Sequence, residues 1–343
     1  MPGVSIALAT FNGEKYLATQ LASLAGQTNL PAELIISDDC SDDRTREVAQ
    51  GFAQTAPFPV RIVRNETRLG YRDNFMRATA QCRSELIAYC DQDDIWAPEK
   101  LAVMTPLFDD PKVLLAYHNA TVIDDDGKQL GHLYRTGSGM REFAPLTLEP
   151  WSLIAGFTQV FRRDLSRFAA LHAASQDSYW PAERLAHDQW HLFLASVLGS
   201  VVRVAKPLAQ YRQHGNNTFG WGNRHRLETA PGYFLRADNF IAAARNRSQL
   251  LRHMPANLTT AEQARVSDAI AFYDDLHRRL DDRISMYSSA ALLTRAKAFG
   301  GLLRQRAYSR ALGSGRFGWI GLLMDAYGGV PFGPILKRLI CKT

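Results

Sequence analysis

Three aspartates stand within four positions in the motif CDQDD, which occupies residues 90–94 and directly follows an apolar run. Asp91, Asp93 and Asp94 would repel one another at this spacing unless a cation or a donor-rich ligand lay beside them. Carboxylate oxygens are hard ligands that favour Mg²⁺ or Mn²⁺ over Zn²⁺, with phosphate oxygens completing the coordination shell. The motif predicts either a divalent-metal site or a solvated turn in which Asp94 caps a helix.

A second acidic segment, SDDCSDD at residues 37–43, also follows an apolar run. At the end of a buried strand, the Asp39 carboxylate can accept hydrogen bonds from a ribose hydroxyl or from the N–H of a base. The stretch from Ser41 to Thr45 also fits the entry of a capped helix. The two roles are compatible, because the turn can fix one residue while its neighbour faces a cleft.

The segment HDQWH at residues 187–191 places His187 and His191 at positions i and i+4 of a predicted helix. This spacing is similar to that of the zinc-binding helix of metalloproteases, where a Glu acts as the general base. Here Asp188 takes the place of that Glu. One hypothesis is therefore a zinc hydrolase built on His187 and His191.

Predicted strands deliver these loops to one edge of a sheet. Apolar, β-favouring runs alternate with helical patterns from residue 3 to residue 90, which predicts a parallel, doubly wound sheet. Ligands bind beyond the carboxyl ends of such strands, so one cleft can collect the loops ATFNG, SDDCSDD and CDQDD. Residues 113–165 mix strand patterns with glycine-containing turns and predict a mixed sheet.

Length and composition divide the chain into two parts. Its 343 residues suit a catalytic domain at 1–223 and an accessory region at 224–343, where residues 235–310 are helix-permissive. No stretch approaches the roughly 18 apolar residues of a spanning helix. The N-terminus lacks the pattern of a signal peptide, and the four cysteines are irregularly spaced. We expect a cytoplasmic protein with free thiols.

The C-terminal segment, residues 284–343, carries nine Lys or Arg against one acid, Asp325. Aromatic and aliphatic residues alternate with these cations, which suits a helix lying on the anionic inner face of the cytoplasmic membrane. The alternative is that the apolar residues dock the segment on the catalytic domain. Nucleic-acid binding is disfavoured, since no recognition module accompanies the basic excess.

The motifs ATFNG, SDDCSDDRT and AYCDQDDIW together resemble those of the family-2 inverting glycosyltransferases of the glycosyltransferase A fold, over residues 3–220. The segments DQDDIW, GFTQVFRRDL, AHDQW and YRQHGNN look most like the bacterial rhamnosyltransferase-type members. The resemblance implies an α/β fold with a Rossmann-like mixed sheet flanked by helices, followed by a C-terminal helical extension.

The same resemblance implies roles for individual residues. The donor nucleotide would be held by the ATFNG backbone, by Asp39 and Asp91, and by a loop at 67–75, through Ala9, Thr10, Phe11, Asn12, Arg68, Tyr71 and Asn74. Asp93 would bind Mn²⁺ or Mg²⁺ directly, with Asp91 and His214 beside it. Asp188 falls where the family has its catalytic base. Trp96, Gly156 and Phe157 would line the acceptor side, although simple packing is the alternative for an aromatic residue after an acidic loop.

The implied reaction is a single displacement with inversion. Asp188 would take a proton from an acceptor hydroxyl while the metal stabilises charge on the departing diphosphate. L-rhamnose from a dTDP donor is the sugar that the resemblance implies, with UDP-linked hexoses or N-acetylhexosamines as alternatives. The acceptor would be a growing glycan or a lipid-linked saccharide. A rival hypothesis is a non-catalytic module that only binds a nucleotide sugar.

Overall fold

The computed structural model describes residues 2–134, 137–215, 237–308 and 319–340. The chain forms two compact units, and each is made of several segments. The first unit comprises Met1–Ala144, Leu153–Ala169 and Ala186–Trp221, and the second comprises Pro145–Ser152, Ala170–Leu185 and Gly222–Thr343. The domain boundary expected at residue 223 lies outside the described residues.

The first unit alternates strands and helices in its N-terminal part and is richer in strands after residue 110. Its first elements are β1 (Val4–Thr10), α1 (Glu14–Ala25), β2 (Glu33–Asp38), α2 (Thr45–Thr55), β3 (Val60–Arg64), α3 (Tyr71–Gln81), β4 (Leu86–Cys90), β5 (Ile95–Trp96) and α4 (Lys100–Met104). The later ones are β6 (Val113–Ile123), β7 (Gln129–His132), β8 (Met140–Phe143), β9 (Gln159–Arg162), α6 (His187–Leu198) and β10 (Ser200–Arg212). The short helix α5 (Ala169–His172) precedes α6 in the chain, and all of it except Ala169 belongs to the second unit.

The N-terminal strands form the parallel half of the sheet. β1 lies between β2 and β4, with Ile6 opposite Leu34 on one side and Ala88 on the other, and β3 continues the sheet beyond β2. All but one residue of β1 are buried, as expected of a parallel strand covered on both faces. The parallel order confirms the expectation drawn from the alternation of strands and helices, and the carboxyl ends of β1, β2 and β4 share one edge.

The remaining strands make the sheet mixed. β9 runs antiparallel between β4 and β6, and β6 pairs in parallel with the long strand β10. The order is β3-β2-β1-β4-β9-β6-β10-β5, with β7 on β6 and β8 on β10. This confirms the mixed sheet expected for residues 113–165. Apolar side chains from both halves form one core, which includes Leu8, Ile36, Ala116 and Leu208, each fully buried.

The second unit contains the C-terminal helices. They are α7 (Ala237–Arg252), α8 (Thr260–Ser288), α9 (Leu292–Arg304), α10 (Trp319–Met324) and α11 (Val330–Ile340). A capping box between Thr259 and Glu262 starts α8. The predicted helical extension is confirmed over the described residues. Within those residues, no helix combines the length and hydropathy needed to span a bilayer.

Candidate active site

Hydrogen bonds join the loop after β1 to the loop after β2. The backbone N–H of Asn12 donates to Ser41 Oγ at 3.0 Å, and the N–H of Gly13 donates to Thr45 Oγ1 at 2.7 Å. Asn12 returns a side-chain contact, because its Oδ1 accepts from the N–H of Asp42 at 3.0 Å. The ATFNG and SDDCSDD motifs therefore form one rigid edge of the site.

Gln92 attaches the acidic motif to the same edge. Its Oε1 accepts from the N–H of Phe11 at 2.9 Å, and its Nε2 donates to the Phe11 carbonyl at 3.0 Å. A Cβ on residue 13 would come within 2.6 Å of Gln92 Cδ, so Gly13 is required at this contact. The sequence prediction did not assign Gln92 a role; its position between the aspartates was the only signal for it.

The two aspartates that end β2 have different partners. Asp38 Oδ1 accepts from the hydroxyls of Thr10 and Ser41, which makes it a fixed part of the turn. Asp39 is 2% exposed. Its Oδ1 accepts from Asn65 Nδ2 and from the N–H of Leu69, both at 2.7 Å, and its Oδ2 accepts from the N–H of Gly70 at 2.8 Å. Asp39 thus shapes the loop of residues 65–70.

The entry of α2 is fixed by Asp43. Its Oδ1 accepts from the N–H of Thr45, the first residue of the helix, at 2.9 Å. The structure therefore satisfies this helix terminus with a side chain from two residues upstream, and the residue at the cap position, Arg44, contributes none.

The predicted donor-binding residues of the 67–75 loop lie in different environments. The Arg68 guanidinium lies 3.8 Å from the centre of the Phe11 ring, a cation–π contact across two of the loops. Tyr71 is 37% exposed, at the start of α3. Asn74 is buried, donates to the Ser37 carbonyl at 2.9 Å and accepts from Asn65 at 3.0 Å. Arg68 and Tyr71 are accessible to a ligand, whereas Asn74 braces the ends of β1 and β2.

The acidic motif crosses from β4 to β5, which pairs with β10. Burial and the neighbouring charges of Asp93 and Asp188 raise the pKa of Asp91 to about 8. Burial, together with Asp93 and Asp91, also raises the pKa of Asp94 well above its usual range. Ionisation of these carboxyls is therefore unfavourable in the absence of a nearby cation, and a bound cation would favour their charged form.

Asp94 does not cap a helix, contrary to that sequence-based alternative. The next helix, α4, begins only at Lys100, whereas Asp94 Oδ1 accepts from the N–H of Arg212 at the end of β10, at 3.2 Å. No donor from the described residues reaches Asp94 Oδ2. Its role is to tie the acidic motif to the edge of the sheet.

Asp93 and His214, two predicted metal ligands, contact each other directly. His214 Nε2 lies 2.8 Å from Asp93 Oδ2, and the imidazole stacks on the Tyr16 ring with centroids 4.8 Å apart. Both side chains are mostly buried but keep some exposure. A divalent cation could replace the hydrogen bond between these two atoms. The carboxylate suits Mn²⁺ or Mg²⁺, and the imidazole favours Mn²⁺ of the two.

Protein side chains would supply only part of a coordination shell. In the part of the chain that the structure describes, no three His, Cys, Asp or Glu side chains converge closely enough to hold an ion. Asp91, Asp93 and His214 thus do not make a preformed triad. An ion held by Asp93 would need further oxygen ligands, which a diphosphate can provide.

Asp188 lies in the first turn of α6, near the acidic motif. Its charge raises the pKa of Asp91, and its Oδ1 accepts from the N–H of Gln189 at 2.8 Å. A Cβ on residue 156 would lie 3.3 Å from Asp188 Cβ and 2.7 Å from His187 Nε2, so Gly156 permits the close approach of this helix. Gly156, one of the predicted acceptor-side residues, therefore stands directly against the predicted base.

The two aromatic residues predicted on the acceptor side are part of the core. Trp96 is 2% exposed and Phe157 is 1% exposed. The buried Lys100 ammonium lies 3.3 Å from the centre of a Trp96 ring and donates to the Phe157 carbonyl at 2.7 Å. Burial lowers the pKa of Lys100 to about 7. These positions favour the packing alternative for both aromatics.

The two histidines of HDQWH are held by aromatic side chains. The His187 ring stacks on Phe75 with centroids 3.9 Å apart, and His191 Nδ1 lies 2.8 Å from the Tyr89 hydroxyl. His191 is fully buried. Since no three metal-ligating side chains converge in residues 2–134, 137–215, 237–308 and 319–340, the zinc-hydrolase hypothesis gains no support.

Comparison with known proteins identifies similar chains. The model of Glycosyl transferase family 2 matches residues 5–168. An uncharacterized glycosyltransferase from Nostoc sp. is 24% identical over 222 residues, 62% of this chain and 66% of that one. The dTDP-rhamnosyl transferase RfbG from Shigella flexneri is 33% identical over 98 residues, 27% of this chain and 34% of that one. This chain spans 66% of the length of the Nostoc protein and 59% of the length of an uncharacterized Mycobacterium bovis protein.

A solved structure is similar over nearly the whole chain. The complex of S. aureus TarS 1-349 with UDP-GlcNAc has a TM-score of 0.54 at 15% identity, and the match covers 99% of this chain and 90% of that one. At this level of identity the similarity establishes the fold.

Proposed function

The chain carries a family-2 glycosyltransferase domain of the glycosyltransferase A fold at residues 5–168, and on this premise we propose that it transfers a hexose from a nucleotide-diphosphate donor to an acceptor hydroxyl with inversion. The observation that carries the proposal is that the first turn of α6, which carries Asp188, packs against β4 just before the acidic motif, with the His187 and Tyr89 rings 4.6 Å apart. Burial, Asp93 and Asp188 together raise the pKa of Asp91, in keeping with this closeness. A proton acceptor and a site for a charged diphosphate thus lie side by side.

The donor would lie along the edge formed by the three loops. Phe11 and Arg68 offer a ring and a planar cation against which a base can stack. Gln92 fixes the backbone of Phe11 relative to the acidic motif, so the base-binding and diphosphate-binding ends of the site keep a constant separation. This rigidity would hold the anomeric carbon in position for attack.

Asp188 would act as the general base. Its carboxylate would accept the proton of the acceptor hydroxyl as the oxygen attacks the anomeric carbon, opposite the departing nucleotide diphosphate. Gly156, which has no side chain, allows the first turn of α6, with Asp188, to approach this loop closely. A single attack from one face inverts the configuration at that carbon.

Asp93, Asp91 and His214 are the residues that would hold Mn²⁺ or Mg²⁺. When bound, the ion supplies positive charge that stabilises the diphosphate leaving group. The protein holds the Asp93 carboxylate against the His214 imidazole and keeps Asp91 close enough to Asp93 for the two carboxyls to interact electrostatically.

L-rhamnose is the proposed sugar, with a dTDP donor. The similarity to a dTDP-rhamnosyl transferase supports this choice, and the UDP-GlcNAc complex of TarS supports a UDP-linked sugar as the competitor. The proposed acceptor is a growing glycan or a lipid-linked saccharide of the cell envelope.

A donor screen tests the proposal. The protein is incubated with Mn²⁺ and either dTDP-L-rhamnose or a UDP-linked hexose, with saccharide acceptors, and release of nucleotide diphosphate is measured. We expect release that depends on the acceptor, and a product whose anomeric configuration, read by NMR coupling constants, is opposite to that of the donor. Retention of configuration would exclude the single displacement. Binding of donors without turnover by any acceptor would favour the non-catalytic module.

A further inference from the structure

Large apolar side chains are exposed on the C-terminal helices. In α9, Leu292 is 59% exposed and Leu293 is 68% exposed, and in α11, Phe332 is 55% exposed and Ile335 is 59% exposed. Between them Tyr327 is 76% exposed. The two helices are neighbours, since the Arg295 guanidinium of α9 donates to the Val330 carbonyl of α11 at 2.6 Å. Several large apolar side chains exposed on neighbouring helices are a feature of interaction sites.

The helical positions of these residues in α9 place them on its outer side. Leu292, Leu293 and Leu303 fall within about a third of the helix circumference, at 100° per residue. The opposite side carries the buried residues Arg295, Ala298 and Leu302. The outer side of this helix is thus apolar and exposed, whereas its inner side packs within the unit.

α11 follows the same pattern. Phe332, Ile335 and Arg338 are spaced three residues apart and are all exposed. Gly333 lies on the inner side, where an added Cβ would approach Tyr287 Cα to 2.9 Å, so this helix contacts α8 closely. The exposed side chains face solvent, because the opposite side of α11 packs against α8.

Within residues 284–343, exposed cations accompany the apolar residues, while the Asp282 carboxylate of α8 accepts from Gln305 just after α9. Lys297, Arg304, Arg306 and Arg338 are exposed. The one acid in the sequence from 284 to 343 is Asp325, which is fully buried against Arg283. This segment therefore presents positive charge that no exposed carboxylate of its own offsets.

We infer that the outer sides of α9 and α11, with Tyr327, form a surface that docks on an anionic phospholipid bilayer. The leucines, Phe332 and Ile335 enter the boundary between headgroups and acyl chains, while Lys297, Arg304 and Arg338 pair with anionic headgroups. A polar partner such as a nucleic acid would leave the apolar residues unused. This inference stands apart from the proposed transferase function.

Vesicle sedimentation tests the inference with the full chain. The protein is mixed with phosphatidylcholine vesicles, or with vesicles in which a large share is phosphatidylglycerol. We expect binding to the anionic vesicles at least tenfold tighter than to the neutral ones, weakening as salt rises. Equal partition to both compositions, or no partition to either, would overturn the inference.

Two sets of variants locate the surface. Leu293→Ser with Phe332→Ser, and separately Lys297→Glu with Arg304→Glu, should each lower the binding to anionic vesicles at least tenfold. The matched controls Leu30→Ser, at a leucine 46% exposed, and Lys112→Glu, at an exposed lysine, should leave it unchanged. Since all substituted side chains are exposed, thermal unfolding should stay constant.

Sedimentation velocity without vesicles examines the other occupant of an apolar surface. If the wild type self-associates and Leu293→Ser with Phe332→Ser makes it monomeric, while vesicle binding is unaffected, the surface joins two copies of the chain and the inference is wrong. A wild type that stays monomeric, and whose vesicle binding depends on these residues, supports it.

Discussion

Buried aspartates in the two units differ in how their side-chain oxygens are satisfied. Asp325 is fully buried, and its oxygens accept from Tyr287 at 2.7 Å, from Tyr308 at 2.7 Å and from the Arg283 guanidinium. Asp91 and Asp94 stand beside another carboxylate, and the pKa of each is raised. Asp325 thus has donors for its oxygens, whereas neighbouring carboxylates destabilise the charged forms of Asp91 and Asp94.

The contrast distinguishes a structural acid from one that awaits a ligand. A buried carboxylate that is fully bonded to protein donors contributes to folding and has no capacity left for a ligand. A group of carboxylates that lacks enough donors is stabilised when a cation, free or bound to a phosphate, binds beside it. We therefore propose that the acidic motif at 90–94 serves function, whereas Asp325 stabilises the fold.

The largest expected effect concerns turnover. Asp188→Asn removes the proposed base without changing its size, so turnover should fall by about 10² to 10⁴. Donor affinity should change much less than turnover, because in the proposed role the Asp188 carboxylate contacts the acceptor hydroxyl and not the donor. Asp109→Asn, at an exposed acid of the same unit, is the matched control. Normal turnover with weakened donor affinity would show that Asp188 is not the base.

The next effect concerns folding. Asp325→Asn leaves the Arg283 guanidinium buried beside a neutral group, which should lower the free energy of unfolding by about 3–5 kcal/mol. Asp281→Asn, which removes an exposed ion pair with Arg245, should cost at most about 1 kcal/mol. Urea unfolding followed by circular dichroism measures both. A change of similar size in the two variants would contradict the structural role of Asp325.

A moderate effect is expected at Gln92. Gln92→Ala removes both hydrogen bonds to the Phe11 backbone, so donor affinity should fall about tenfold while turnover at saturating donor changes little. Gln129→Ala, at an exposed position, is the control. If turnover falls and affinity does not, Gln92 acts on the chemical step and not on the donor edge.

The smallest effect should have the opposite sign to that at Asp325. Asp94→Asn replaces a buried carboxyl whose pKa is raised well above its usual range and whose one hydrogen bond from the described residues comes from the Arg212 N–H, so stability should stay the same or rise by up to about 1 kcal/mol. The same urea titration measures it. A loss as large as that of Asp325→Asn would place both acids in the same structural class.

The sequence predicted the elements well, because their signals are local. Apolar runs closed by Asn12-Gly13 or by aspartates mark strand ends in the primary sequence, and β1, β2 and β4 lie where these runs stand. The convergence of their loops follows from the handedness and order of a parallel sheet. Acidic residues at two such ends, with the Asn-Gly loop at the third, were therefore enough to predict one site.

Contacts between distant segments left no such signal. Gln92 and Phe11 are 81 positions apart, and no sequence pattern near either residue predicts that the Gln92 side chain binds the Phe11 backbone. Asn74 was predicted to bind the donor, yet it braces the ends of β1 and β2, which depends on where α3 packs. Trp96 was predicted on the acceptor side, yet it lies in the core against Lys100. The sequence does not distinguish this buried lysine from one on the surface.

Titration of the protein with a nucleotide diphosphate and Mn²⁺, followed by thermal unfolding, tests the central claim most directly. At about 100 times the dissociation constant, the ligand should stabilise the fold by about 2.7 kcal/mol. Asp93→Ala should lose the part that depends on Mn²⁺, since the ion would lose its proposed direct ligand. Stabilisation that is absent in the wild type, or that is equal in Asp93→Ala and in the presence of a chelator, would contradict the assignment of the acidic motif as the diphosphate–metal site.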